Sequence, residues 1–130
     1  MSSFVYDTSA VMAYLNKERG GELVSAALLK PGFISDVNFA ELVTKLSDSG
    51  MPEDEIRDTL GPLNFANVQF GSEAAYVAGL LRPPTKAAGL SLGDRACLAL
   101  GILKGLPVLT SDQAWRRVPI EIPVEIEFIR

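Results

Sequence analysis

Short apolar runs alternate with helical segments along the whole chain, and this alternation limits its possible folds more than any other feature. Strands are predicted at residues 4–6, 33–34, 68–70, 107–110 and 124–129, the last as a half-buried edge strand. The helices between them carry apolar residues at three- and four-residue spacing. Alternation of this kind predicts a parallel sheet with right-handed crossovers and helices on both faces. We therefore expect a single three-layer α/β/α domain over residues 1–130, with a mostly parallel sheet of four to five short strands.

Proline and glycine mark where the predicted helices end. Pro83 and Pro84 are expected to end the fifth helix. Residues 83–90 then form an extended linker that returns the chain to the carboxyl edge of the sheet. The linker leads to a helix over residues 91–105 that joins the fourth strand through a tight turn at Gly105. Because that strand starts at the amino edge of the sheet, the helix must begin at the carboxyl edge.

Composition indicates a globular chain in a reducing compartment. Hydrophobic residues make up 48% of the 130 residues, and no apolar run reaches the roughly 18 residues of a membrane span. The N-terminal MSSFVYD lacks the basic and apolar regions of a signal peptide. The single cysteine, Cys97, has no internal partner and is expected to be buried. These features predict a cytoplasmic protein without a membrane segment.

Charge and histidine content restrict the chemistry. A formal net charge of −4 argues against a nucleic-acid partner unless a bound cation reverses the local sign. The absence of histidine excludes a histidine-based triad and a histidine general base, and one cysteine excludes a thiolate zinc cluster. A metal in this chain would have oxygen ligands, which favour a hard ion such as Mg²⁺ or Mn²⁺. The glycine-rich nucleotide motifs GxGxxG and GxxxxGK[ST] are also absent.

Four acids are predicted to meet at the carboxyl edge of the sheet, where sites form in parallel α/β folds. Asp7 ends the first strand, Asp112 follows the fourth strand, and Asp94 lies in the first turn of the helix that begins at this edge. Glu41 lies in the helix after the second strand, and its side chain tilts back toward the edge. Like charges this close repel one another, so the cluster needs a cation.

Each acid also has an ordinary structural interpretation. Asp7 and Asp112 are both in positions to cap a helix or turn, and Asp94 has capping-box spacing from Ser91. Glu41 either faces solvent or is partly buried. Its helical neighbours Val37, Ala40 and Thr44 are small or apolar, so a buried Glu41 would need a partner from elsewhere.

The ordered segments VYDTSAVMAYL, NFAELVTKL, SLGDRACLALG and LTSDQAW resemble the PIN-domain nucleases, and most of all the VapC-type toxins of prokaryotic toxin–antitoxin pairs. The resemblance implies that one or two Mg²⁺ or Mn²⁺ ions bind four acids, namely Asp7, Glu41, Asp94 and Asp112. It adds three supporting polar residues, Thr8, Ser9 and Thr110. It further implies a type II toxin that hydrolyses tRNA or ribosomal RNA with metal-activated water, is held by an antitoxin protein and forms a homodimer.

Several other residues have two interpretations that the sequence leaves open. Four basic residues either hold RNA phosphates or carry solvated surface charge: Lys86, Arg95, Arg116 and Arg117. Trp115 either stacks on a base or packs in the interior. Six apolar residues of the first two helices form either an antitoxin groove or core: Val11, Tyr14, Leu15, Leu23, Leu28 and Leu29.

Two other functions compete with the ribonuclease. One is a PIN-like module that binds a partner without catalysis, although such a module has no physical reason to keep four repelling acids. The other is a DNA flap nuclease of related fold, although this short chain has no large insertion to thread a strand.

Overall fold

The structure, a computed structural model, describes residues 3–130. Its five strands are Val5–Tyr6 (β1), Gly32–Ser35 (β2), Phe65–Val68 (β3), Val108–Thr110 (β4) and Ile126–Phe128 (β5). Its seven α-helices are Thr8–Leu15 (α1), Gly21–Ala27 (α2), Asp36–Asp48 (α3), Glu53–Leu60 (α4), Ser72–Leu80 (α5), Arg82–Thr85 (α6) and Leu92–Lys104 (α7), and a 3₁₀ helix spans Gln113–Arg117. Met1 and Ser2 lie outside the described residues. They are the first two residues of the predicted domain over residues 1–130 and of the segment MSSFVYD, which is predicted not to be a signal peptide.

The strands form one sheet in the order β3–β2–β1–β4–β5, and every neighbouring pair is parallel. The carboxyl ends of all five strands therefore meet at one edge of the sheet, which we call the carboxyl edge. This arrangement confirms the predicted α/β fold with a parallel sheet and an edge position for the last strand. Among residues 3–130, no helix combines the length and the apolar character needed to cross a bilayer.

The sheet separates two hydrophobic cores, because successive side chains of a strand point to opposite faces. Val5 and Val108 pack in the core beneath α5 and α7, whereas Tyr6 and Leu109 pack in the core beneath α1 to α4. Cys97 is buried in the first of these cores, as the sequence predicts. Helices on both faces complete the three predicted layers.

The ends of β1 and β4 lie side by side, and this register fixes the centre of the carboxyl edge. Tyr6 is paired with Leu109, and the backbone N–H of Asp7 donates to the Leu109 carbonyl at 3.0 Å. The chain reaches β4 from α7 through Gly105, whose φ of +64° is in the left-handed region that glycine tolerates. As predicted, α7 therefore begins at the carboxyl edge.

The third strand lies earlier in the chain than the sequence predicts. The prediction was residues 68–70, but the strand is Phe65–Val68 and pairs with β2 along its whole length. Phe70 lies beyond the strand and packs, half-buried, against the core under α5 and α7. The apolar spacing of Val68 and Phe70 therefore indicated packing and not the limits of a strand.

The prediction of an extended linker over residues 83–90 is wrong, because a short helix and then turns over residues 86–89 occupy most of it. Pro83 and Pro84 lie in the first turn of α6, a short helix that directly follows α5. Proline is tolerated there because the first N–H groups of a helix have no partner within it. Thr85 ends α6, is fully buried, and donates from Oγ1 to the Leu81 carbonyl at 2.7 Å.

Candidate active site

The four predicted acids line one cavity of about 410 Å³ at the carboxyl edge. Asp7 follows β1, Asp112 follows β4, Asp94 lies in the first turn of α7, and Glu41 points up from α3. The structure therefore brings together all four side chains that the sequence singled out. Thr8 and Ser9 also belong to the cavity wall.

Asp7 is the most deeply buried of the four acids, with 3% of its surface exposed. Its side chain makes no helix-capping hydrogen bond. Instead, its Oδ2 accepts hydrogen bonds from Ser9 Oγ at 2.5 Å and from Thr110 Oγ1 at 2.8 Å. Burial raises the pKa of Asp7 from 3.8 to about 6, the two hydroxyl groups oppose that rise, and the charges of Asp94 and Glu41 add to it.

Glu41 is half-buried, and two donors hold one of its oxygens. Oε1 accepts hydrogen bonds from Thr8 Oγ1 at 2.5 Å and from Asn38 Nδ2 at 3.0 Å. Of the neighbours considered in the sequence, Ala40 and Thr44 are exposed. The side chain that pairs with Glu41 on its own helix is therefore Asn38, one turn earlier.

Asp94 and Asp112 each have the capping role that the sequence offered as their ordinary interpretation, and each also lines the cavity. Asp94 forms a capping box with Ser91, since Asp94 Oδ2 accepts from Ser91 N at 2.9 Å and Ser91 Oγ accepts from Asp94 N at 3.2 Å. Asp112 Oδ1 accepts from Ala114 N at 3.0 Å at the start of the 3₁₀ helix. Each cap engages one carboxylate oxygen, so capping does not prevent either acid from lining the cavity.

The four acids of the cavity carry the oxygen ligands that a hard cation prefers, although the side chains do not form a finished ion site. Among residues 3–130, no three acidic or cysteine side chains are grouped closely enough to hold an ion as they stand. Burial raises the pKa of Asp94, bonds with Ser91 oppose the shift, and the charges of Asp112 and Glu41 add to it. Mutual repulsion among oxygen donors that share a cavity is the situation a divalent cation relieves.

The basic residues predicted from the sequence are not on the wall of this cavity. Arg95 donates from Nη1 to the Ala78 carbonyl at 2.9 Å, and Arg116 packs over the Phe128 ring at 4.0 Å. The basic side chains that the described part of the chain does contribute to the wall are Lys45 and Arg130. Arg130 is held there by Glu18 Oε1 at 3.1 Å and by the Arg19 carbonyl at 2.9 Å.

Trp115 packs in the interior, which decides between its two interpretations. Only 1% of its surface is exposed, and it belongs to the core under α5 and α7. Its indole cannot stack on a base without unfolding that core.

Sequence reasoning missed Lys45 and Arg130 on the cavity wall, and it missed Asn38 and Gly93, which contact Glu41. The wall also includes four further residues that were not predicted, namely Met12, Asn16, Glu18 and Ser111. Asn38 and Lys45 lie three residues before and four residues after Glu41, a spacing that places side chains on one helix face and was available in the sequence. Gly93 lies beside Glu41, and Arg130 lies on the cavity wall, only because of packing between elements that are distant in sequence.

Three comparisons describe what the chain is similar to. A family model described as PIN domain matches residues 4–121, and no curated protein matches the sequence significantly. A toxin–antitoxin complex from Klebsiella pneumoniae is similar in structure, with a TM-score of 0.76 and 19% identity over 98% of each chain. A DNA-bound VapBC from Salmonella typhimurium has a TM-score of 0.75 and 21% identity over 100% of each chain. VapBC-5 from Mycobacterium tuberculosis has a TM-score of 0.67 and 21% identity over 98% of this chain and 99% of that one. At these identities the structural likeness shows a common fold.

Proposed function

This chain belongs to the PIN-domain family, and from that premise we propose that it is a metal-dependent endoribonuclease and the toxin of a type II toxin–antitoxin pair. One observation carries the proposal: four carboxylates from two helices and two strand ends line a single cavity at the carboxyl edge. The similarity to structures described as toxin–antitoxin and VapBC complexes supports the toxin role.

The residues that would hold the metal are the four acids of the cavity. We propose Asp7 and Asp94 as the central ligands of one or two Mg²⁺ or Mn²⁺ ions, with Glu41 and Asp112 completing the set directly or through water. A bound ion of this kind supplies Lewis-acid chemistry, which makes water more acidic and offsets charge on a phosphodiester. Ser9 and Thr110 fix the orientation of Asp7 through its Oδ2.

We propose that Lys45 and Arg130 contact the phosphates of the RNA beside the cleaved bond. Both side chains line the acidic cavity. Because the chain has a net charge of −4, it has no general attraction for RNA, and these two cations supply a local one. Contacts from Lys86, Arg95, Arg116 and Arg117 stay predictions, as does a tRNA or ribosomal RNA target.

The antitoxin partner, the homodimer and a cytoplasmic location are also proposals. Of the six apolar residues considered for an antitoxin groove, Val11 is fully buried, and Tyr14, Leu15 and Leu28 are partly buried against the core. Leu23 and Leu29 are 52% and 80% exposed. These two side chains on and after α2 are therefore the ones available to a partner.

Cleavage of total tRNA and ribosomal RNA tests the proposal. The reactions contain Mg²⁺, Mn²⁺ or EDTA, with wild-type protein and Asp94→Asn in parallel. Discrete products that require the metal and disappear in Asp94→Asn are expected, because the amide keeps the cap but cannot provide an anionic ligand. Asp58→Asn removes the same charge from an exposed position on α4 and should cleave like wild type.

The negative outcomes separate the competing functions. Metal binding without cleavage of any RNA, by folded and antitoxin-free protein, would favour the non-catalytic binding module. Cleavage restricted to branched DNA would favour the flap nuclease.

A further inference from the structure

The Glu41 carboxylate lies where two helices meet at the carboxyl edge. Glu41 belongs to α3, and it rests against the first turn of α7, which also carries Asp94. Thr8, at the start of α1, contributes one hydrogen bond to Glu41 Oε1. Two further residues, Asn38 and Gly93, shape this junction and were not among the predicted site residues.

Asn38 connects Glu41 to α7. Its side chain is completely buried, and Nδ2 donates both to Glu41 Oε1 and to the Gly93 carbonyl, each at 3.0 Å. Because both partners are acceptors, the amide nitrogen must face them. The orientation of Asn38 is therefore fixed by the two elements that carry Glu41 and Asp94.

This orientation leaves the other end of the amide without a partner. Asn38 Oδ1 is buried and has no hydrogen bond within the described residues. A buried amide oxygen in this state is destabilising, and an apolar side chain at the same place would avoid the cost. The physical reason for asparagine at this position is therefore the pair of hydrogen bonds that Nδ2 donates to Glu41 and Gly93.

Gly93 makes room for the Glu41 carboxylate. A Cβ atom at Gly93 would lie 2.7 Å from Glu41 Cδ and closer still to Oε2. Gly93 is a buried residue of helix α7 and does not have a positive φ, so the backbone does not require glycine there. Alanine is the better helix former, so the space for Glu41 is the physical reason for glycine at this position.

We infer that Asn38 and Gly93 are positioning residues that fix the Glu41 carboxylate for divalent-ion binding. Gly93 leaves the space that the carboxylate occupies, and Asn38 holds Oε1 while tying α3 to the turn that carries Asp94. This inference rests on the proposed function, in which Glu41 is a ligand. It assigns to these two residues an effect on ion affinity that acts through Glu41.

Mn²⁺ titration calorimetry on the full chain tests the inference. Asn38→Ala should bind Mn²⁺ about 10–100-fold more weakly than wild type, the usual effect of losing an outer partner of a ligand. Gly93→Ala should also weaken Mn²⁺ binding, because its Cβ displaces the Glu41 carboxylate. Gly93→Ala is the sharper variant, because the atoms it displaces are the end of a flexible side chain and alanine favours the helix.

A double-mutant cycle separates positioning from a general structural effect. If Asn38 acts through Glu41, then Asn38→Ala combined with Glu41→Gln should bind Mn²⁺ no more weakly than Glu41→Gln alone. Thr85→Val is the matched control, since it removes a buried side-chain hydrogen bond outside the cavity wall. It should lower thermal stability and leave Mn²⁺ affinity unchanged.

The outcomes distinguish failure of the inference from failure of the proposed function. Wild type that binds Mn²⁺ and cleaves RNA, with both single variants binding equally well, overturns the inference alone. Additive losses in the double variant overturn it too, because Asn38 would then act independently of Glu41. If Asn38→Ala does not fold, Gly93→Ala decides. Wild type that neither binds Mn²⁺ nor cleaves RNA rejects the proposed function itself.

Discussion

Two cavities flank α3, and they differ in the chemistry of their walls. The acidic cavity, about 410 Å³, is lined by carboxylates, hydroxyl groups and two basic side chains. The other, which we call the apolar cavity, measures about 560 Å³ and lies between α3, α4 and β3. Its apolar wall residues are Phe39, Val43, Met51, Ile56, Leu60, Leu63 and Phe65.

Helix α3 contributes residues to the walls of both cavities. Phe39 and Val43 face the apolar cavity, whereas Glu41 and Lys45 face the acidic one. Residues two apart are about 200° around a helix of 3.6 residues per turn, so the two pairs lie on opposite sides. Burial stabilises the first side, while the second buries charge that the metal-free fold must tolerate. The comparison predicts that truncation on the apolar side lowers stability without changing ion binding. On the acidic side, it predicts that ionisation lowers the stability of the metal-free fold and that the side chains determine ion binding.

The largest expected effect is on the acidic side, where Asp7 makes the metal-free fold sensitive to pH. Its pKa is raised from 3.8 to about 6 in the folded state, so between these values the folded protein binds more protons than the unfolded one. Stability must therefore fall as pH rises through this interval. The shift corresponds to about 3 kcal/mol lost above about pH 6 relative to below about pH 4.

Urea unfolding in EDTA at several pH values measures this loss, with Asp7→Asn as the comparison. The variant has no carboxylate to ionise and should be less destabilised by rising pH than wild type, by about 3 kcal/mol. Asp58→Asn, on exposed α4, should keep the wild-type slope. Equal pH dependence of the unfolding free energy for wild type and Asp7→Asn would show that ionisation of the buried carboxylate does not destabilise the fold.

A smaller effect is expected on the apolar side. Ile56 on α4 is 7% exposed and packs in the core beneath α1 to α4. Ile56→Ala should destabilise the protein by about 2 kcal/mol, the lower end for such a truncation because the side chain borders an open cavity. Mn²⁺ affinity should not change. A loss of Mn²⁺ affinity as large as that of Asn38→Ala would mean that the two sides of α3 are not independent.

Much of the fold follows from features that are local in sequence. Strand–helix alternation predicts a parallel sheet, and parallel strands place Asp7 and Asp112 at the same edge whatever the details of packing. The limits of β3 and the short helix at Pro83 were not predictable in this way. Phe70 has strand-like apolar spacing because it packs on a core, and proline is as compatible with the start of a helix as with its end.

Residues whose roles depend on contacts between elements distant in sequence could not be predicted from local features. Gly93 has a reason to be glycine only because Glu41, on another helix, occupies the space beside it. Arg130 reaches the acidic cavity because β5 pairs with β4 and the Ile129 N–H donates to the Thr110 carbonyl. The sequence therefore pointed to the four acids of the cavity and to the hydroxyl groups of Thr8, Ser9 and Thr110 that bond to two of them. It missed the asparagine, the glycine and the two basic residues around them.

The smallest expected effect concerns the two basic residues of the acidic cavity. In an Asp94→Asn background, which should leave RNA uncut, Lys45→Ala and Arg130→Ala should each weaken RNA binding a few-fold and reduce its salt dependence by about one phosphate contact. The Arg130→Ala variant also loses the surface ion pair between Arg130 and Glu18, which contributes little to stability. Arg117→Ala removes an exposed cation outside the cavity wall and should change binding less. Measuring affinity at several KCl concentrations tests this order, and an Arg117 effect equal to that of Lys45 would mean that RNA contacts extend beyond the cavity wall, as the sequence predicts for Arg117.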